Sequence, residues 1–297
     1  MTELCALDGA APDGLDTARC LSLLAERGAA AGLTLTEAQL AQFGIYYEKL
    51  VATNRCLNLT ALTSPEDVAV KHFIDSLLAF DPALMKAGTK VIDVGTGAGF
   101  PGLPLKFYCP ELRMTLLDSL DKRLRFLQEV IDATAVRGIR LVHARAEDGG
   151  RDPKHRGQYD IAVSRAVARL SVLAEYCLPF VKRGGWFLAL KGSRYEEEIA
   201  AAEPALALLG GKVAAARTGP RPHPQGEGHA GGVSPQGRPA GQKTSLKVSG
   251  FYGKIRRQTQ WGGDNVRDGF EDLNVGAVQA GGSEGGDGKT AHVQEGI

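Results

Sequence analysis

Charge of one sign is what this 297-residue chain most lacks: 35 Lys and Arg stand against 34 Asp and Glu, leaving a net charge of +1. That balance excludes a global field drawing the whole molecule onto nucleic acid. Any RNA contact must rest on local clusters. The candidates are Lys122 with Arg123 and Arg125, the loop 151–156, and Lys182 with Arg183, although each taken singly reads as a solvated face. Cysteine is scarce and scattered: the five, at positions 5, 20, 56, 109 and 177, give neither a disulfide framework nor zinc-ligand spacing, so no metal site is expected. No apolar run approaches membrane length, and the N-terminus has no basic-then-apolar leader. A cytoplasmic protein with no membrane or DNA partner is expected.

What is there is concentrated in one short stretch. Val91-Ile92-Asp93-Val94 reads as a buried strand running into Gly95-Thr96-Gly97-Ala98-Gly99-Phe100, and a second strand, 114–117, ends in Asp118. Strand, glycine turn and distant strand-end acid are the parts that hold a nucleoside-bearing cofactor at the top of a parallel sheet. Glycine lets backbone approach the ligand where a Cβ would clash, and Asp118 can accept hydrogen bonds from two ribose hydroxyls. Dinucleotide sites space their glycines G-x-G-x-x-G and hold a pyrophosphate. Here the third glycine comes one place early, Phe100 stands where NAD sites want glycine, and Asp93 would repel a phosphate. An acid there suits a cationic ligand. S-adenosylmethionine (SAM) has a sulfonium and an ammonium beside its ribose and adenine, and no phosphate, so SAM is the expected cofactor and NAD the alternative. Gly95, Gly97 and Gly99 would line its methionine part. Asp93 would take the ammonium, unless it only caps the following helix.

With 43% hydrophobic residues the chain can bury one substantial core with appendages. Residues 1–14 read as a frayed end. Helical patterns follow at 15–29 and 36–53, the second with Leu40, Phe43, Tyr47, Leu50 and Val51 on one face. Ser64-Pro65-Glu66-Asp67 opens a third helix that runs to about Phe80. Together these make a helical cap over 15–88. Strands at 91–95, 113–118, 139–144, 159–164 and 185–191, with a weaker one at 211–216, alternate with helices. One helix is capped by Ser119, and another opens at Ser193 with Glu196 in a capping box. The expected fold is α/β, a doubly wound, mostly parallel sheet over 89–217 that binds ligands at the carboxyl ends of its strands. Residues 218–297 break the pattern. They are rich in Gly and Pro, only 245–252 alternates like a strand, and burial there cannot offset an ordering entropy of roughly 1–2 kcal/mol per residue. A disordered tail is expected.

Several motifs together resemble the RsmG (GidB) family of small-subunit rRNA guanine-N7 methyltransferases, over about residues 15–215. They are Asn58-Leu59-Thr60, Lys71-His72-Phe73-Ile74-Asp75-Ser76-Leu77, Val91 to Leu105, Leu117 to Arg123, Ser164-Arg165-Ala166 and Leu190-Lys191-Gly192. The resemblance implies a class I SAM-dependent methyltransferase fold. It also implies methyl transfer to a guanine N7 in the 530 loop of 16S rRNA, on free rRNA or on the small ribosomal subunit; a monomer is expected. It places a binding residue at Phe100, adenine contacts at Ala146-Glu147 and a ligand-contacting arginine at Arg165, with a structural ion pair as the alternative for that arginine. His72 would face the acceptor base and Lys191 an RNA phosphate, each with a plain packing or surface role as the alternative. Family chains finish on a last strand with a basic end, whereas this resemblance stops near Arg217. A change of reading frame in the coding DNA is expected there, with loss of the final antiparallel strand; a lineage-specific tail is the alternative.

Guanine N7 is nucleophilic and carries no proton, so its lone pair can attack a methyl group without a general base, and no dedicated acid/base pair stands out in the sequence. The Asn/Asp-Pro-Pro-aromatic motif of amine methyltransferases is replaced by Val163-Ser164-Arg165-Ala166. Cys109-Pro110 has the wrong order and place for the cysteine nucleophile of cytosine-C5 enzymes. Two rivals remain: a small-molecule or protein methyltransferase sharing the pocket, and a tail-altered remnant without activity.

Overall fold

The computed structural model of the chain describes residues 16–165, 168–191, 195–218 and 251–257. The expectations for 1–14, for most of 218–297 and for a cap at Ser193 lie outside these residues.

Seven strands form one sheet in the order β3-β2-β1-β4-β5-β7-β6. β1 (Lys90–Val94), β2 (Arg113–Asp118), β3 (Ile139–His143), β4 (Tyr159–Ser164) and β5 (Val181–Lys191) are parallel neighbours. β7 (Phe251–Arg257) runs antiparallel to both β5 and β6 (Gly211–Thr218). This is the doubly wound, mostly parallel sheet that the alternating pattern predicts. Strand order reverses between β1 and β4, and a doubly wound sheet opens its ligand crevice at that point.

The expected loss of the last antiparallel strand is corrected here. β7 lies inside the stretch read as a tail and takes its place between β5 and β6. Its neighbours in sequence are glycine-rich and hid it, but the segment docks by ordinary means. Ile255 is buried in the core, and the Arg257 guanidinium donates to the carbonyls of Leu178 and Val181. Ser119 is not a helix cap either. The helix Asp121–Thr134 has Leu120 at its N-cap, and the Leu120 N–H is taken by Asp118 Oδ1 at 2.9 Å.

Each face of the sheet carries its own core. On one face the cap helices Thr17–Ala30 and Glu37–Leu57 and the segment 65–77 pack over Val91, Met114, Leu116, Ile161 and Val163. Thr36 starts the second helix with a capping box to Gln39, two reciprocal bonds that satisfy otherwise orphaned donors. Its buried face is Phe43, Tyr46, Tyr47 and Leu50; Val51 is only half-buried and Tyr46 takes the central place. The third cap segment begins at Pro65 behind an N-cap at Ser64, as expected, but widens into a π-helical turn over Val68–Ile74. The other face is covered by the short helices Ala146–Arg151 and Leu170–Cys177 and the longer Tyr195–Leu208, over Ile92, Val94, Leu117 and Ala162. Cys20, Cys109 and Cys177 are free thiols. Among the described residues no helix is long and apolar enough to cross a membrane.

Candidate active site

The glycine turn leaves β1 at the reversal of strand order. The N–H groups of Gly95 and Thr96 both donate to the Leu117 carbonyl on β2, at 2.9 and 3.0 Å. The Gly97 N–H donates to Asp118 Oδ2 at 2.9 Å. Thus the strand-end acid holds the turn before any ligand arrives. Its two oxygens retain acceptor capacity, since an ionised carboxylate offers about four lone-pair directions. Gly95 has φ +71° with open space where a Cβ would stand, so its positive φ is what requires glycine.

Beside the turn lies a cavity of about 380 Å³. Val94 and Gly95 come to it from β1, Leu117 and Asp118 from β2, Ala146 and Glu147 from the start of the Ala146–Arg151 helix, and Ser164 from β4. The sequence-based choices Gly95, Asp118, Ala146 and Glu147 therefore meet on one wall, although separated by up to 52 positions in the chain. Tyr176 and Arg123 join them without having been chosen as cofactor contacts. Arg123 approaches Asp118 Oδ2 at 3.4 Å; its place one helical turn past a strand-end acid was a usable signal. Tyr176 arrives from a helix with no local motif.

Gly97 and Gly99 do not line this cavity among the described residues. Gly99 faces the cap: a Cβ there would stand 2.7 Å from Tyr46 Oη and 2.8 Å from Leu127 Cδ2. Asp93 is wholly buried beneath the turn. Its Oδ2 accepts from Thr96 Oγ1 at 2.7 Å and from the Gly102 N–H at 2.8 Å, which makes it the cap of the helix Gly102–Tyr108. Oδ1 is buried and has no hydrogen-bond partner among the described residues. Burial pushes its carboxyl up to about 7, against the pull of Thr96, the Gly102 N–H and the charge of Arg165.

Phe100, His72 and Arg165 come together, but on the cap side of the turn. The His72 ring stacks on Phe100 with centroids 4.5 Å apart, and Tyr46 stacks on Phe100 at 5.3 Å. The Arg165 guanidinium lies 4.7 Å from the Phe100 centroid. Arg165 Nη1 donates to the Lys71 carbonyl at 3.1 Å and pairs with Asp75 Oδ2 at 3.3 Å, and Nη2 donates to His72 Nδ1 at 3.2 Å. The guanidinium has no lone pair to offer, so His72 Nδ1 must be the acceptor and Nε2–H must donate to Thr60 Oγ1, at 2.9 Å. Burial, with the Arg165 charge second, pushes the imidazole down to about 4. His72 is thus a neutral packing residue with both nitrogens engaged, and Arg165 is an ion-paired clamp on the cap. The sequence reading set an acceptor-facing His72 beside a packing role and a ligand-contacting Arg165 beside a structural ion pair; the bonds seen here are those of the second reading in each case. Lys191 is also turned inward. Its ammonium pairs with Glu198 at 2.7 Å and donates to the Ala168 carbonyl, and its side chain is only 6% exposed.

The family model described as rRNA small subunit methyltransferase G matches residues 39–223. The ribosomal RNA small subunit methyltransferase G of Leuconostoc mesenteroides is 54% identical over 185 residues, covering 62% of this chain and 77% of that protein. The proteins of the same name from Leuconostoc citreum and Alkaliphilus metalliredigens are 52% and 50% identical, over 63% and 61% of this chain and 79% and 76% of theirs. The fold, the glycine turn with its strand-end acid and these matches agree: the chain belongs to the rRNA small subunit methyltransferase G (GidB) family and is a SAM-dependent methyltransferase.

Proposed function

We propose that the chain transfers a methyl group to N7 of a guanine in the 530 loop of 16S rRNA, acting in the cytoplasm as a monomer on free rRNA or on the small ribosomal subunit. SAM supplies an electrophilic methyl on a sulfonium, and the residues beside the glycine turn fit it. The observation that carries this reading is the cavity that Gly95, Asp118 and Ala146-Glu147 share. Asp118 would accept from the ribose hydroxyls with its free lone pairs, and the Ala146 backbone would meet the adenine edge. Asp93 is wholly buried and is not among the described lining residues of the cavity, so its partnerless Oδ1 would meet the ammonium through a water.

N7 carries no proton, so the protein need not remove one. The side chains nearest the turn suit that economy: His72 is locked neutral by two hydrogen bonds, and Arg165 keeps its charge on the cap. Their work is to hold Phe100 and the turn rigid, because alignment of nucleophile and methyl carbon is what lowers the barrier. Full-length chain, methyl-labelled SAM and 30S subunits lacking the modification test the proposal. Label in one 16S rRNA guanine, cleavable after borohydride and aniline treatment as N7-methylguanine is, is the expected result. Label in protein, or at a guanine amine, would overturn it.

A further inference from the structure

The face of the sheet that holds the SAM cavity has a second hollow at its opposite end, near the first residues of β1 to β4. It measures about 510 Å³. In parallel strands, residues in register point to the same face. Lys90 is in register with Arg113, and Thr115, two residues on, with Arg140. Lys90, Arg113, Thr115 and Arg140 therefore share the face on which Leu117 and Val142 are apolar higher up. Of these, Arg113 and Arg140 are exposed and Lys90 is half-buried, whereas Thr115 is buried. Lys154, from the loop after the helix Ala146–Arg151, and the buried Tyr159 complete the wall.

Four cations line this hollow, and no carboxylate is among its described lining residues. None of the four makes an ion pair among the described residues. The nearby Asp160 is engaged by Lys182 at 2.8 Å and by the Lys90 N–H at 2.8 Å. Arg113, Arg140 and Lys154 are exposed. Four like charges gathered in one concavity repel one another and raise the local concentration of anions. Two guanidinium forks suit the oxygens of a phosphate.

We propose that this hollow is a phosphate-binding site formed by Lys90, Arg113, Arg140 and Lys154, and that the phosphate it takes belongs to the backbone of the substrate RNA. The choice of RNA over a small phosphorylated compound rests on the rRNA reading above. The hollow and the SAM cavity are one strand length apart, roughly 17 Å for five residues, a separation that an RNA reaching the glycine turn can span. The near-neutral net charge gives this local cluster its importance, since no global field competes with it.

The test uses the full-length chain and the double substitution Arg113→Gln with Arg140→Gln. Both side chains are exposed and touch nothing in the SAM cavity, so an unchanged SAM-induced rise in Tm certifies the variant as folded and cofactor-competent. Binding of 16S rRNA is then followed across a salt titration. The expected result is about 10-fold weaker binding, with the slope of log K against log salt shallower by about 1.5, at roughly 0.7–0.9 for each phosphate left without its cation. Inorganic phosphate and pyrophosphate form the second arm, read as a rise in Tm of the wild-type chain. Stabilisation that the variant lacks, with RNA binding unchanged, would keep the phosphate site and assign it to a small phosphorylated compound. Unchanged RNA affinity and slope with no effect of either anion would overturn the proposal. If the wild-type chain binds no rRNA, the rRNA reading fails by itself while the anion arm still tests the hollow.

Discussion

The two faces of the sheet are packed by different means, and the difference explains where function sits. The cap face is a fused aromatic cluster: Tyr46 lies within 5.3–6.5 Å, centroid to centroid, of Phe73, Phe100, Phe107 and Phe126. Polar ties stitch it to the glycine turn, with Tyr46 Oη donating to the Ala98 carbonyl and Arg165 reaching the π-helical turn. The opposite face is covered by helices that supply few aromatic rings and leaves two hollows. Rigidity is thus supplied from one side and access from the other. The glycine turn is where they meet: Gly99 is wedged against Tyr46, and Gly95 faces the cavity.

The largest way to break this division is Tyr46→Ala. Removing a wholly buried ring and its hydrogen bond should cost about 3–5 kcal/mol and lower Tm by roughly 2–4 °C for each kcal/mol in a chain of this size. The SAM-induced rise in Tm should shrink as well, because the turn loses its backing. Tyr46→Phe keeps the stack and leaves the Ala98 carbonyl unpaired, at about 1–3 kcal/mol. A Tyr46→Ala chain that melts lower yet responds fully to SAM would show that the cap does not position the turn.

Next is Arg165→Ala, which strips the Lys71 carbonyl, Asp75 and His72 Nδ1 of a donor. A loss of about 2–4 kcal/mol is expected, most of it from the Lys71 carbonyl and His72 Nδ1 losing their half-buried donor and Asp75 its ion pair with Arg165. If thermal melts show Arg165→Ala within about 0.5 kcal/mol of wild type, the guanidinium is not a clamp and its cofactor role returns to consideration. On the open face Asp118→Asn should behave in the opposite sense. About 1–2 kcal/mol is expected, as an amide replaces a carboxylate accepting two backbone N–H groups, but the SAM-induced rise in Tm should vanish.

That contrast also marks what the sequence disclosed. The open face was legible: the apolar run Val91–Val94, the glycine spacing and the acid ending β2 are local patterns, and local patterns survive without tertiary knowledge. The cap's contribution was not. Tyr46 reaches Ala98 across 52 positions and Arg165 reaches Lys71 across 94, contacts that no periodicity encodes. Lys191 read as a phosphate contact or a surface cation because its partner Glu198 sits on the next helix. β7 was masked by glycine-rich neighbours, its burial decided by an open edge on β5 rather than by its own composition.

The smallest expected effect is a pH profile in which the two regions cancel. His72, on the cap, is pushed down from 6.5 to about 4. The native state resists its charging, so its contribution is present above 6.5 and lost as pH falls towards 4. Asp93, in the sheet, is pushed up from 3.8 to about 7. The native state prefers its protonated form, so that contribution is present below 3.8 and lost as pH rises towards 7. Each amounts to about 3–4 kcal/mol at 1.36 kcal/mol per pH unit, and between pH 4 and 6.5 they oppose each other. The pair should therefore add little slope to wild-type stability in that window. Asp93→Asn, which keeps an acceptor for Thr96 and Gly102, should lose stability relative to wild type as pH falls. His72→Asn should lose it as pH rises. Measured by Tm at matched pH, parallel profiles for both variants would show that neither group titrates where its surroundings place it. Crossing profiles would show that the cap and the sheet hold opposite charges in check around a single turn. SAM sharpens the test: if its ammonium meets Asp93, binding favours the ionised carboxyl, and SAM affinity should rise with pH towards 7 in the wild-type chain but not in Asp93→Asn.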